Sequence, residues 1–144
     1  MIKQKQIIKG ALFGALLALA GLAQAQVAVI VNPKNAAATM TADQVSSIFL
    51  GKSNTLPSGA TAAPADQPES AAIRDQFYSK VTGKQAAQVK AAWSRLVFSG
   101  KGTPPKELGS SADVKKFVAS NPDAIGYIEK SAVDGSVKVV LSVD

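Results

Sequence analysis

The sequence contains no cysteine and no histidine. Without cysteine there is no disulfide framework, no thiol nucleophile and no thiolate metal site. The same absence excludes a lipid-anchored lipoprotein, which needs a cysteine at its cleavage site. Without histidine there is no imidazole base, no serine–histidine triad and no imidazole metal ligand. Gly51-Lys52, Gly83-Lys84 and Gly100-Lys101 each lack the upstream glycine of a phosphate-binding P-loop. There is no dinucleotide fingerprint, and the ten acidic residues are scattered without a calcium-loop pattern. Chemistry would have to rest on carboxylates, lysine or an unassisted serine. The inventory therefore points away from an enzyme and calls for no metal or organic cofactor.

What is present starts with an export signal. Lys3, Lys5 and Lys9 precede an apolar run from Ala11 to Leu22, interrupted only by Gly14 and Gly21. Ala23-Gln24-Ala25 supplies small residues where a signal peptidase reads them. The apolar run is shorter than the roughly 18 residues a membrane-spanning helix needs. A cleavable signal peptide over residues 1–25 is expected, leaving Gln26 as the mature N-terminus. The mature protein is then expected to be soluble, without a membrane anchor, in a bacterial periplasm. The signal carries three of the sixteen basic residues and none of the acidic ones, so the formal charge falls from +6 to +3 on cleavage. No block of like charge remains, and nucleic acid is not an expected partner.

About 120 mature residues make one domain with one core. Val27 to Val31 is a β-branched run closed by Asn32-Pro33 and reads as a buried strand. Thr41 and Gln44 have capping-box spacing ahead of Val45, Ile48 and Phe49 at helical intervals. A weak strand over Thr61 to Ala65 ends at Asp66, and a helix is expected from Glu69 or Ser70 with Ile73, Phe77 and Val81 facing inward. A further helix over Lys84 to Phe98 aligns Val89, Trp93, Leu96 and Val97. Ser110 or Ser111 caps a helix with Val114, Phe117 and Val118. Ala124 to Ile128 and Val137 to Val143 read as strands joined through an Asp134-Gly135 turn. Strands interspersed with helices predict an α/β domain, in two or three layers, around one mixed sheet flanked by helices.

The segment from Pro64 to Arg74 is the most suggestive. A strand ends, the chain turns, and a helix begins near Ser70. Backbone donors at a helix start attract anions. Ser70 can donate from its hydroxyl, and Arg74, four residues on, can add a charge-assisted contact. Ser70 as a plain helix cap, with Arg74 paired to Glu69 or Asp75, accounts for the same pattern. Trp93, the single tryptophan, is expected to pack in the core and Tyr127 to be half-buried. Lys52 and Lys101 could line an anion site or be ordinary solvated loop charges.

Several segments occur in an order that resembles the phosphate-type periplasmic solute-binding proteins. They are Ile48-Phe49-Leu50-Gly51-Lys52, Pro64-Ala65-Asp66, Ser70 with Arg74 and Phe77, Trp93 with Phe98 and Gly100, and Ala124-Ile125-Gly126-Tyr127-Ile128. The similarity covers nearly all of the mature chain and is nearest to short, single-lobe relatives. It implies a type-II periplasmic-binding-protein fold reduced to one lobe. It also implies an oxyanion, inorganic phosphate or a similar ion, held in a cleft and passed to an ABC transporter. The family's strand-end arginine falls here on Asp66, and its Ser-Gly-Thr triplet on Ser70-Ala71-Ala72. Of these the resemblance carries over the serine but not the arginine, glycine or threonine; with Arg74 offering positive charge from a different backbone position, ligand binding is expected at Ser70, Arg74, Asp66 and Ala71. The missing second lobe leaves open another reading, an envelope interaction or homodimerisation module that has lost its ligand.

Overall fold

A run of five apolar residues without alternation suits a strand covered on both faces. In the computed structural model, which describes residues 26–144, Val27–Val31 forms such a strand, β1, with every side chain buried. The predicted signal peptide lies outside the described residues. β1 pairs antiparallel with β4 (Ala124–Glu129) and with β5 (Lys138–Val143). β2 (Ala63–Asp66) runs parallel to β4 and to the two-residue β3 (Lys106–Glu107). The sheet order is β3-β2-β4-β1-β5, a mixed five-stranded sheet.

Strand alternation divides the core in two. Val27, Val29 and Val31 face one cluster with Phe49, Phe77, Tyr78 and Tyr127, while Ala28 and Ile30 face another with Val114 and Val118. Helices α1 (Ala42–Phe49), α2 (Ala72–Phe77) and α3 (Ala86–Phe98) contribute to the first cluster, and α4 (Ser111–Ser120) to the second. The result is the three-layer form of the expected α/β domain. α4 lies tight on β4 because residue 126 is glycine: a Cβ there would come within 2.5 Å of Val114 Cγ1. Asn32, just past β1, holds the other end of α4. Its Nδ2 donates to the carbonyls of Val118 at 2.9 Å and Ala119 at 3.0 Å, in the last helical turn.

The Thr41–Gln44 capping box forms as its spacing predicts, with both reciprocal bonds made. Some local expectations are revised, and one strand is added. The helix expected from Glu69 or Ser70 begins at Ala72, because Ala71 N–H donates to Pro68 O and keeps Ser70 in a turn. It is six residues long and passes into one π-helical turn, Tyr78–Thr82. β3 carries no apolar or β-branched residue, so nothing in its sequence signals a strand; its register comes from β2. α3 buries only Val89 completely. Trp93 and Leu96 lean on Gly51, whose positive φ of 76° and missing Cβ admit them. Val97 and Phe98 are left outside, 50% and 97% exposed. Tyr127, expected to be half-buried, is fully buried because layers cover both faces of β4.

Candidate functional site

β2 ends at Asp66, and the chain turns there over the aromatic cluster. Strand alternation places Tyr127 on the same face of β4 as Ile125, in the first core cluster. Its ring stacks on Phe77 with centroids 4.0 Å apart and planes 4° from parallel. α2 delivers Arg74, and the π-helical turn that continues it delivers Tyr78; the Arg74 guanidinium carbon lies 5.0 Å from the Tyr78 ring centroid, a cation–π contact.

These side chains converge on the Asp66 carboxylate. Oδ1 accepts hydrogen bonds from the Tyr127 hydroxyl and, at 2.8 Å, from Gln67 N–H. Oδ2 accepts from the Tyr78 hydroxyl at 2.6 Å. Arg74 Nε lies 3.5 Å from Oδ1 as an ion pair, with each side chain only 10% exposed. Burial, reinforced by the Asp66 charge and its hydrogen bonds, pushes both phenols well above the ordinary value of 10.0. Both therefore stay protonated donors around neutral pH. Gln67 ties the group to the sheet and to α4: its Nε2 donates to Tyr127 O at 3.0 Å and to Ser111 Oγ at 3.1 Å.

One atom in this cluster stands apart. Among the described residues, Arg74 Nη1 is the buried side-chain nitrogen or oxygen without a hydrogen-bond partner. A buried donor left unmade costs about 1–3 kcal/mol, more when charged. Arg74 also lines an open cleft of about 780 Å³ between the Asp66–Ser70 turn and α3. Its walls include Ser70, Lys90, Trp93 and Phe98, with Asp66, Glu69 and Glu107 as the acidic members.

The structure thus brings three of the four sequence-predicted residues onto one cleft. Arg74 lines it as a buried residue, paired with Asp66 rather than with Glu69 or Asp75. Ser70 is exposed on the lining. Ala71 is not on the lining; its N–H is taken by Pro68 O, and it packs on the core cluster. Sequence reasoning overlooked Tyr78, Tyr127 and Gln67. A signal existed for both tyrosines: a phenol on a buried face needs a polar partner, and Tyr78 stands one helical turn from Arg74.

No protein-family profile matches the sequence, and no curated protein matches it. Solved structures do. A candidate phosphate ABC transporter substrate-binding protein from Clostridium perfringens, solved with bound phosphate, superposes with a TM-score of 0.66 at 25% identity, covering 81% of this chain and 45% of that one. An ABC-type phosphate transport receptor from Vibrio cholerae gives 0.64 at 21% identity, covering 81% and 47%. PstS from Borrelia burgdorferi gives 0.60 at 14% identity, covering 81% and 47%. The resemblance to phosphate-type substrate-binding proteins therefore holds at the level of fold. The chain spans about half the length of these proteins, and its architecture is that of a single solute-binding lobe. Among the described residues no helix is long and apolar enough to cross a membrane.

Proposed function

We propose that this chain is an exported solute-binding lobe that holds phosphate or a similar oxyanion at Arg74. The observation that carries the reading is the buried Nη1, without an acceptor, of an arginine that lines an open cleft. Asp66 and Tyr78 fix the guanidinium, and a small shift of that side chain presents its unpaired edge to an entering oxyanion. Ser70, on the same lining, adds a hydroxyl donor. Both Asp66 oxygens already accept hydrogen bonds, so Asp66 positions Arg74 and leaves ligand contact to others. Ala71 contributes through the turn it fixes. The reading includes a signal peptide cleaved after Ala25, a periplasmic location, no catalysis, and delivery of the ligand to an ABC-type phosphate transporter.

Charge-assisted hydrogen bonds contribute roughly 1.5–3 kcal/mol each. Two or three of them must offset the entropic cost of association. A net of about 4 kcal/mol corresponds to a Kd near 1 mM. Isothermal titration of residues 26–144 with phosphate, sulfate as control, tests this. Saturable heat that disappears in Arg74→Ala is the expected result. A folded sample giving no heat up to about 10 mM phosphate, roughly ten times that Kd, would overturn it.

Phe98 favours a second reading. An aromatic ring 97% exposed beside a cleft lined by Trp93 and Val97 suits burial against another copy of the chain. In that reading the lobe is a homodimerisation module of the envelope and ignores phosphate. Sedimentation equilibrium decides it: a concentration-dependent dimer abolished by Phe98→Ser is expected, and a monomer at all concentrations rules it out.

A further inference from the structure

A second cleft, of about 860 Å³, opens on the other side of Trp93. Lys52, from the loop after α1, Lys101, from the loop after α3, and Lys106, on β3, all line it. They come from three separate segments, and no carboxylate lines the cleft with them. Strand alternation on β3 explains the segregation: Lys106 points to this cleft while its neighbour Glu107 points to the Arg74 cleft.

The backbones that carry Lys52 and Lys101 are fixed, and the two ammonium groups are otherwise left uncommitted. Gly51 and Gly100 adopt positive φ of 76° and 71°, which sharpens the turns that carry Lys52 and Lys101. Both loops are pinned on Trp93: a Cβ at Gly51 would come within 2.9 Å of its ring, and one at Gly102 within 3.2 Å. Trp93 is itself anchored by a 2.8 Å bond from Nε1 to Phe49 O. Lys106 Nζ sits 5.1 Å from the Phe117 ring centroid. Among the described residues neither Lys52 nor Lys101 has an ion-pair partner. Ser53, Thr61 and Thr103 add hydroxyls to the same lining.

Three like charges facing one space repel, and a multiply charged anion relieves that repulsion more completely than a single phosphate does. Lysine ammonium groups act as point charges toward phosphate oxygens and do not require planar, bidentate geometry. The volume falls within the range of small-molecule sites. We propose that this cleft is a second anion site, separate from the Arg74 cleft, for a ligand carrying two or more phosphate groups on one scaffold. The proposal stands whether or not phosphate binds at Arg74.

The test uses residues 26–144, tripolyphosphate as the soluble probe and cardiolipin vesicles as the lipid-borne one. Trp93 fluorescence and vesicle flotation are the readouts. The expected result is binding by at least one probe that tightens as salt is lowered. A Lys52→Ala, Lys101→Ala, Lys106→Ala variant weakens it about tenfold or more. A Lys34→Ala, Lys84→Ala, Lys116→Ala variant of equal charge change leaves it within about twofold. The probe that binds names the source of the phosphates. The proposal fails if neither probe binds, if both lysine variants weaken binding equally, or if the Lys52→Ala, Lys101→Ala, Lys106→Ala variant leaves binding unchanged.

Discussion

The two clefts share Trp93 and Pro104 as a common wall, yet they hold positive charge in opposite ways. In the first, Arg74 is buried, paired with Asp66 and stacked on Tyr78. Its position is fixed, and much of its charge is answered within the protein. In the second, Lys52, Lys101 and Lys106 are exposed and face no carboxylate of the lining. A buried, paired cation offers geometry and therefore selectivity; exposed, unpaired cations offer field strength and adaptability. The contrast separates the site proposed for one small oxyanion from the site proposed for a larger polyanion.

The sharpest way to break this contrast is to remove the group that organises the first cleft. Asp66→Ala strips the partner from a buried guanidinium and from two buried phenols. Loss of one member of a buried pair costs about 3–5 kcal/mol, and denaturant unfolding should read a loss of that size. A loss under about 1 kcal/mol would mean that the network contributes little to folding.

Tyr78→Phe and Tyr127→Phe act more gently. Each removes one hydrogen bond to a carboxylate, about 1.5–3 kcal/mol, with the ring packing retained. The phenols also set a pH dependence. Their folded pKa lies above the unfolded value of 10.0, so the unfolded chain loses their protons first. Their contribution to stability is complete below about pH 10 and erodes as pH rises further. The double Phe variant should show a shallower loss of stability between about pH 10 and 11.5 than the parent. Parallel curves would show that the phenols are not linked to folding in this way.

Lys52→Ala and Lys101→Ala should have the smallest effects on stability. Both side chains are exposed, and substitution should move unfolding free energy by no more than about 0.5 kcal/mol. A loss above about 1 kcal/mol would reveal a structural role for these lysines and erase the distinction between the clefts.

Much of the architecture was legible because it depends on local pattern. β1 was readable as an unbroken apolar run, α1 from its capping box and the one-face helical spacing of Val45, Ile48 and Phe49, and the mixed α/β class from the order of elements. β3 was not, since Lys106-Glu107 has neither period nor propensity and forms a strand only because β2 presents an edge. The end of α3 misled for a related reason. Val97 follows the periodicity of a buried face, but whether that face is covered depends on what lies opposite, and here Phe98 and Val97 face outward.

The candidate site divides along the same line. Ser70, Asp66 and Arg74 lie within nine residues of one another, and the turn between strand and helix was enough to single them out. Tyr127 is 61 positions from Asp66, and Lys101 is 49 positions from Lys52. By itself the sequence determined the chemistry excluded by having no cysteine or histidine, the strand and helix preferences, and the short Asp66–Arg74 constellation. Tertiary structure alone decided that Asp66 is held by two phenols, that Arg74 keeps a nitrogen without an acceptor, and that three distant lysines share one cleft. The reason is that hydrogen bonds and charge fields depend on distance in space, whereas local sequence encodes only the conformations available to neighbouring residues.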